Sequence, residues 1–133
     1  MPRLSRAYAY ISFRGDEFPL QEFSSLIGIE PTSIGIKGEL SQFGTVNKDS
    51  FWNYRHNETD DCDGLDESLE RLRIVFAKQA EVICQFMRIH NLTANCFVVL
   101  TVRKQENPGI RLSQQFIKFL SEIEASFELD GYQ

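Results

Sequence analysis

The chain has 133 residues, of which 42% are hydrophobic, so it has the size of one domain and enough apolar material for a single core. Nineteen acidic residues against 14 basic ones give a net charge of -5. This charge repels phosphate backbones unless the basic residues cluster, and the sequence shows no such cluster. The composition therefore predicts one domain over residues 1–133 and argues against a nucleic-acid partner.

Membrane spans, signal peptides and metal scaffolds also lack support in the sequence. The longest apolar runs fall far below the ~20 residues that a span requires, and the N-terminal residues contain no apolar core. The cysteines, Cys62, Cys84 and Cys96, are unevenly spaced and form no CxxC pair. We expect a cytoplasmic protein with reduced thiols, no membrane association, no cofactor and no bound metal.

The predicted elements begin with a strand and a short helix. Apolar and polar side chains alternate over residues 7–14, with the two-residue period of a half-buried strand. The helix follows at about 19–27, with Pro19 in its first turn and Gly28 at its end. This helix should pack beside the longer helix predicted further along the chain.

The next part of the chain is rich in turn-forming residues. Residues 29–49 combine glycine, proline, serine and asparagine with isolated apolar side chains, which predicts turns and a short hairpin at Ile34 to Leu40. Strand character returns from Ser50 to Asn57, where large side chains occupy both faces.

The strongest pattern lies at 64–91 and predicts one long helix. Its apolar side chains recur at three- and four-residue steps, which places them on one side of a helix: Leu65, Leu69, Leu72, Phe76, Ala80, Ile83 and Met87. Glu67 to Arg71 and Glu70 to Arg73 have the spacing of same-face ion pairs. An apolar stripe of this size must be covered, and a sheet is the natural surface for it.

The C-terminal part predicts strand, helix and strand. Thr93 to Lys104 alternates like an inner strand, Ser113 caps a third helix, and Ser126 to Tyr132 alternates again. We predict an α+β fold with a mostly antiparallel or mixed sheet of four to six strands. One face of this sheet is covered by helices at about 19–27, 65–90 and 113–124.

Four short motifs occur in a characteristic order: LIGIEPT at 26–32, KGE at 37–39, SFW at 50–52 and FELDGY at 127–132. Their order and separation make nearly the whole chain resemble the widespread bacterial family called domain of unknown function 4279. The resemblance implies a small stand-alone α+β protein with no established activity. It therefore adds an expectation of fold and none of function.

The acidic loop before the long helix is similar to a calcium loop. Asp61, Asp63, Gly64 and Glu70 fit four positions of an EF-hand, but Thr59 replaces the leading acid and a strand precedes the loop. Carboxylates at a helix N-terminus also stabilise the helix by interacting with its dipole and free amides. We expect helix capping here and no metal.

No catalytic motif is present in the sequence. Cys84 and Cys96 lie in apolar patterns typical of inert core thiols, and the acids around Cys62 disfavour its thiolate. A Cys-His pair could meet only in the fold, and an acid–base enzyme without a motif stays open. The sequence leans against an enzyme and leaves the question open.

The second face of the predicted sheet is the best candidate for a binding surface. If the apolar side chains of the strands face the helices, an aromatic and charged set faces the other way: Tyr8, Tyr10, Arg14, Thr101, Arg103, Glu128, Asp130 and Tyr132. Such a face can stack single-stranded nucleic acid or bind a protein, and the acidic balance favours a protein. Alternatively, loops or a second subunit cover it.

A second candidate is a small pocket between the turn-rich segment and the sheet, lined by Trp52, Tyr54, Arg55 and His56 next to Lys37, although a tryptophan is commonly a plain core residue. We therefore expect a non-enzymatic binding module that recognises a protein partner, in the manner of an immunity protein, through the aromatic and acidic sheet face. The alternative is a small-molecule-binding or enzymatic domain that uses the Lys37 pocket. A homodimer formed through the same sheet face is the third interpretation.

Overall fold

The computed structural model describes residues 6–55, 64–103 and 109–132, which form one five-stranded sheet with four helices. The strands are β1 (Arg6–Gly15), β2 (Ser33–Gly35), β3 (Ser50–Tyr54), β4 (Thr93–Thr101) and β5 (Ala125–Tyr132). The helices are α1 (Leu20–Ile27), α2 (Leu65–Ala77), α3 (Ala80–His90) and α4 (Gln114–Glu122).

The sheet is mixed, with strand order β2-β3-β1-β4-β5. β1 lies at its centre and pairs antiparallel with β3 on one side and with β4 on the other. β4 and β5 are parallel, and α4 connects them because parallel neighbours require a crossover. The predicted α+β fold, with four to six strands in a mixed sheet, is confirmed.

One face of the sheet forms the core together with the helices. The alternate residues Ala7, Ala9, Ile11 and Phe13 of β1 are buried, and four alternate residues of β4 lie beside them: Ala94, Cys96, Val98 and Leu100. The predicted helix stripe covers them, since Leu72, Phe76 and Ile83 belong to the same buried cluster. The two-residue period of the strands therefore predicted correctly which side chains face the helices and which face the opposite side of the sheet.

An aromatic cluster fills the core between β1, β3 and the helices. Trp52 is 0% exposed, and its ring contacts Phe13, Phe23 and Phe76 at centroid distances of 5.8, 5.1 and 6.1 Å. Its indole Nε1 donates a hydrogen bond to the buried Ser24 Oγ at 2.9 Å. Trp52 therefore joins α1 to the sheet by packing and by one polar contact.

The predicted single long helix is wrong, because the chain divides at residues 78–79 into α2 and α3. The Gln79 N–H bonds to the Phe76 carbonyl instead of continuing the four-residue ladder. A straight helix over 65–90 would be ~39 Å long, against ~33 Å for the ten residues of β1. The bend allows α2 to pack on β1 and α4, while α3 packs on α1 and α4.

The predicted hairpin at 34–40 and the end of the following strand also differ from the structure. β2 pairs antiparallel with β3 rather than folding back on residues 36–40, and Leu40 instead forms an isolated bridge with Val46. β3 ends at Tyr54, so Arg55 falls outside the strand, and the last two residues of the predicted strand, His56 and Asn57, lie outside the described residues. The turn-forming residues of this segment gave no sign of the three-residue strand β2, because β2 pairs with β3 further along the chain.

Three helix ends lie where the sequence predicted them. Gly28 adopts a left-handed conformation with φ 70° after α1, and Asn91 does so with φ 54° after α3. The Ser113 hydroxyl accepts a hydrogen bond from the Phe116 N–H and so caps α4. Arg71 pairs with Glu67 at 3.9 Å, as the helical spacing predicted.

None of the helices in the described residues is both long enough and apolar enough to cross a membrane.

Candidate functional site

The face of the sheet opposite the helices carries the aromatic and charged side chains that the alternation predicted. Tyr8, Tyr10 and Arg14 of β1 project there, and the strand register places β4 and β5 residues beside them. We call this surface the open face, and it comprises Arg6, Tyr8, Tyr10, Ser12, Arg14, Ser33, Gly35, Phe51, Asn53, Arg55, Thr93, Asn95, Phe97, Val99, Thr101, Ser126, Glu128, Asp130 and Tyr132. The helices of the described chain pack on the other side.

An aromatic ladder runs across the open face. The rings of Tyr8 and Tyr10 stack at 6.2 Å between centroids, and Tyr10 stacks on Phe97 of the neighbouring strand at 5.0 Å. The Arg55 guanidinium lies over the Tyr8 ring, 4.2 Å from its centroid, in cation–π geometry. The ladder therefore presents three stacked, partly exposed rings with a cation at one end.

A second aromatic contact lies nearer the β2 edge. The Arg14 guanidinium sits 4.9 Å from the centroid of the Phe51 ring, and its Nη1 also contacts Asp49 Oδ1 at 3.1 Å. The Phe51 ring covers Gly35 on β2, where an added Cβ would lie 2.1 Å from ring atom Cε1. Gly35 thus allows the ring to lie flat on the sheet and receive Arg14 from above.

β5 supplies the acidic part of the open face. Glu128 lies opposite Phe97, and Asp130 lies opposite Val99, so both carboxylates border the ladder. Burial raises the pKa of Tyr10, and the charges of Asp130 and Glu128 contribute to the rise. The Tyr10 phenol therefore keeps its proton at neutral pH and remains a hydrogen-bond donor.

A polar row crosses the middle of the open face. Ser12 lies between Asn53 of β3 and Asn95 of β4, and it is completely buried. Neither the Ser12 Oγ nor the Asn53 Oδ1 has a hydrogen-bond partner among the described residues. A buried hydroxyl without a partner lowers stability, because it loses water on folding and gains nothing in return.

Replacing Ser12 with alanine should therefore raise the free energy of unfolding, by up to about 1 kcal/mol. Urea denaturation followed by circular dichroism would measure the change. Ser50→Ala is the matched control, because the buried Ser50 hydroxyl accepts a 3.0 Å hydrogen bond from the Lys37 N–H and its loss should be destabilising. A destabilised Ser12→Ala protein would contradict the prediction.

The site residues predicted from the sequence fall into separate groups. Tyr8, Tyr10, Arg14 and Tyr132 share the open face, and Tyr132 is 58% exposed. Arg103 is partly buried just beyond the end of β4.

The predicted pocket residues do not come together around Lys37. Trp52 and Tyr54 project toward the helices, where the Tyr54 ring packs edge-on against Phe76 at 5.3 Å. Lys37 lines a concavity of about 540 Å³ at the end of β1, with its Nζ 3.5 Å from Asp16 Oδ1. Trp52 does not line that concavity, and His56 lies outside the described residues.

Phe51, Phe97 and Gly35 belong to the open face but were missing from the predicted site. Both phenylalanines could have been found from the sequence. The alternation of β4 placed Phe97 on this side of the sheet, and Phe51 is part of the SFW motif. The role of Gly35 depends on its pairing opposite Phe51, and this strand register could not be predicted from the sequence.

The acidic loop that is similar to a calcium loop, Thr59 to Asp63, lies outside the described residues. Glu70, the last of the four EF-hand-like positions, accepts a hydrogen bond at its Oε2 from the Arg73 Nε–H at 3.0 Å. Within 6–55, 64–103 and 109–132, no group of three or more His, Cys, Asp or Glu side chains is arranged to hold a metal ion.

Two cysteines lie in the core, as the apolar patterns predicted. Cys96 is buried on β4, and this burial raises the pKa of its thiol to about 12. Burial also raises the pKa of Cys84, whose Sγ donates a hydrogen bond to the Glu122 carbonyl. A raised pKa disfavours the thiolate, so neither group is activated as a nucleophile.

The Cys96 thiol should make stability fall at alkaline pH. A folded-state pKa of about 12, above the unfolded value near 9.0, means that the unfolded chain loses its proton first as pH rises. The contribution of the Cys96 thiol to the free energy of unfolding is therefore fully present below pH 9. It is lost progressively as the pH rises toward 12. The wild-type protein should lose more free energy of unfolding than Cys96→Ala between pH 8 and 10, as measured by urea titrations. Parallel curves would contradict this.

The fold and the open face define a small α+β protein with helices on one side of a mixed sheet and an aromatic, charged surface on the other. The chain belongs to the family described as Domain of unknown function (DUF4279), whose model matches residues 5–133. No curated protein and no solved structure matches the chain.

Proposed function

We propose that this chain is a non-enzymatic binding module which recognises a protein partner through the open face, as an immunity protein would, in the bacterial cytoplasm. The observation that supports this most is the stacked ladder of Tyr8, Tyr10 and Phe97, which remains partly exposed. Rings already stacked in this way lose little side-chain entropy on binding, and tyrosine and arginine are common in interface hot spots.

The charges around the ladder favour a basic partner. Glu128 and Asp130 border it, and the chain as a whole carries a net charge of -5. Arg14 of this surface contacts Asp49 and Arg55 stacks on Tyr8, while the exposed Arg6 lies at the end of β1, opposite Thr101. The same charges repel nucleic acid, so the face fits a protein better than a base-stacking platform.

The test is capture of a partner from a bacterial host lysate at low salt with immobilised protein. A Tyr8→Ala/Tyr10→Ala variant should lose the captured protein, and salt should weaken the wild-type complex. Ile117→Ala is the control, since Ile117 is 53% exposed on α4, away from the open face. Equal capture by all three proteins, or none above background, would overturn the proposal.

The second candidate function uses the concavity of about 540 Å³ that contains Lys37, Arg14 and His90. Arg14 and Lys37 line this concavity beside the carboxylates of Asp49 and Asp16, so it suits a small ligand whose anionic group could replace one of these carboxylates. Thermal-shift assays with a panel of small carboxylates and phosphates would test it. Stabilisation that disappears in Lys37→Met supports this candidate, and an unchanged melting temperature across the panel removes it.

Homodimerisation through the open face is the third candidate function. Multi-angle light scattering of the purified protein would separate it from binding to a different protein. A dimer that dissociates in Tyr8→Ala/Tyr10→Ala would support it, whereas a monomer at all concentrations would exclude it.

A further inference from the structure

β5 lies at the edge of the sheet, and among the described residues no strand pairs with its outer side. It is last in the strand order, and within the described chain it pairs with β4 alone. Its eight residues span ~26 Å, which is long for an edge strand. Edge strands of this length present a row of free backbone groups to which another extended chain can pair.

The strand register shows which backbone groups face outward. The Tyr132 carbonyl accepts a hydrogen bond from the Val102 N–H at 2.8 Å, so Tyr132 directs its backbone groups toward β4. Successive residues of a strand direct these groups to opposite edges. Phe127, Leu129 and Gly131 therefore present their N–H and C=O groups to the free side.

The side chains give the edge two chemically different faces. Glu128 and Asp130 lie on the open face, next to the ladder. Phe127 and Leu129 lie on the helix side, where Leu129 is 51% exposed. A strand that pairs with β5 would therefore meet carboxylates on one face and apolar side chains on the other.

We propose that the protein partner binds by adding an extended strand to the free edge of β5. This strand carries Lys or Arg at alternate positions, opposite Glu128 and Asp130, and Val, Ile or Leu between them, opposite Phe127 and Leu129. The inference rests on the proposed function and specifies how its partner is recognised. Backbone hydrogen bonds hold the strand, and the alternation of charge selects it.

A second copy of this chain fits the edge less well. Antiparallel pairing of two β5 strands about Leu129 would place Glu128 of one copy opposite Asp130 of the other. Like charges directly opposite each other are destabilising in a sheet. Charge complementarity therefore favours a basic strand from a different protein.

Synthetic nine-residue peptides test the recognition directly. A fluorescent peptide alternating Val and Lys should bind the full chain in anisotropy titrations, and its Val-Glu counterpart should bind at least about tenfold more weakly. N-methylation of alternate amides should abolish binding when it blocks the amides that face β5, and not when it blocks the other set. Equal affinity for both peptides, or for both methylated forms, would overturn the inference.

Charge reversal on the protein supplies the complementary test. Glu128→Lys/Asp130→Lys should exchange the preference, so that the Val-Glu peptide binds about tenfold more tightly than the Val-Lys peptide. Glu22→Lys/Glu81→Lys, on exposed helix positions, makes the same change in net charge and should leave the preference intact. Gly131→Pro removes one outward donor but no bond to β4, and it should weaken peptide binding.

The captured partner separates failure of this inference from failure of the proposed function. If capture depends on Tyr8 and Tyr10 but is unaffected by Glu128→Lys/Asp130→Lys and Gly131→Pro, the open face binds without strand addition and only this inference fails. If capture is unchanged in the tyrosine variants and in the β5 variants alike, the proposed function and the strand-addition inference both fail. A dimer that forms through β5 in light scattering would make a second copy the occupant and would also overturn the inference.

Discussion

Trp52→Ala is expected to lower the free energy of unfolding by about 3–5 kcal/mol, the largest effect of any single change considered. Trp52 is 0% exposed, and its truncation removes ring contacts with β1, α1 and α2 together. Urea denaturation followed by far-ultraviolet circular dichroism would measure the loss. Phe43→Ala is the control, because Phe43 is 83% exposed and its loss should cost less than about 0.5 kcal/mol.

A double-mutant cycle would isolate the polar part of this contact. Ser24→Ala leaves the buried indole N–H without an acceptor, which should cost about 1–3 kcal/mol in the wild-type protein. In a Trp52→Phe background the same substitution should cost little, because the donor is absent. Equal costs in both backgrounds would show that the hydrogen bond contributes nothing measurable.

Gly35→Ala is expected to destabilise the protein by about 1–3 kcal/mol and to disturb the open face. The new Cβ would lie 2.1 Å from the Phe51 ring, so the ring must leave the surface of β2 and the Arg14 stack with it. Chemical denaturation measures the destabilisation, and the chemical shifts of the Arg14 side chain report the movement of the ring.

Two further variants identify the cause of the Gly35→Ala effect. Gly131→Ala places a Cβ on β5 where no atom lies within 4 Å, and it should be nearly neutral. In a Phe51→Ala background the ring is gone, so Gly35→Ala should lose most of its cost. A Gly35→Ala protein as stable as Gly131→Ala would show that the ring adjusts freely.

The two sides of the sheet could be predicted because burial follows the period of each strand. The alternation of residues 7–14 placed Tyr8 and Tyr10 opposite the helix side, and the registers of β1 and β4 agree. The end of α1 at Gly28 and the Ser113 cap were also local signals. Each of these features depends on residues adjacent in sequence.

Features that depend on the register or packing of distant segments could not be predicted. The helical spacing of apolar residues continues from Phe76 to Ile83 without interruption. The pattern therefore gives no indication of the bend at residues 78–79. Likewise, the glycine under Phe51 and the serine that accepts the Trp52 indole N–H became apparent only once the strands and α1 were paired in space.

The central position of β1 determines how this chain can fold. β1 pairs with β4 from Arg6 opposite Thr101 to Arg14 opposite Thr93, so the middle of the sheet joins segments far apart along the polypeptide. Bringing them together costs loop-closure entropy before any contact offsets it, which predicts slower folding than that of a helical bundle of the same size. During synthesis, β1 can pair with β3 first, but its other edge stays without its native partner until β4 emerges from the ribosome.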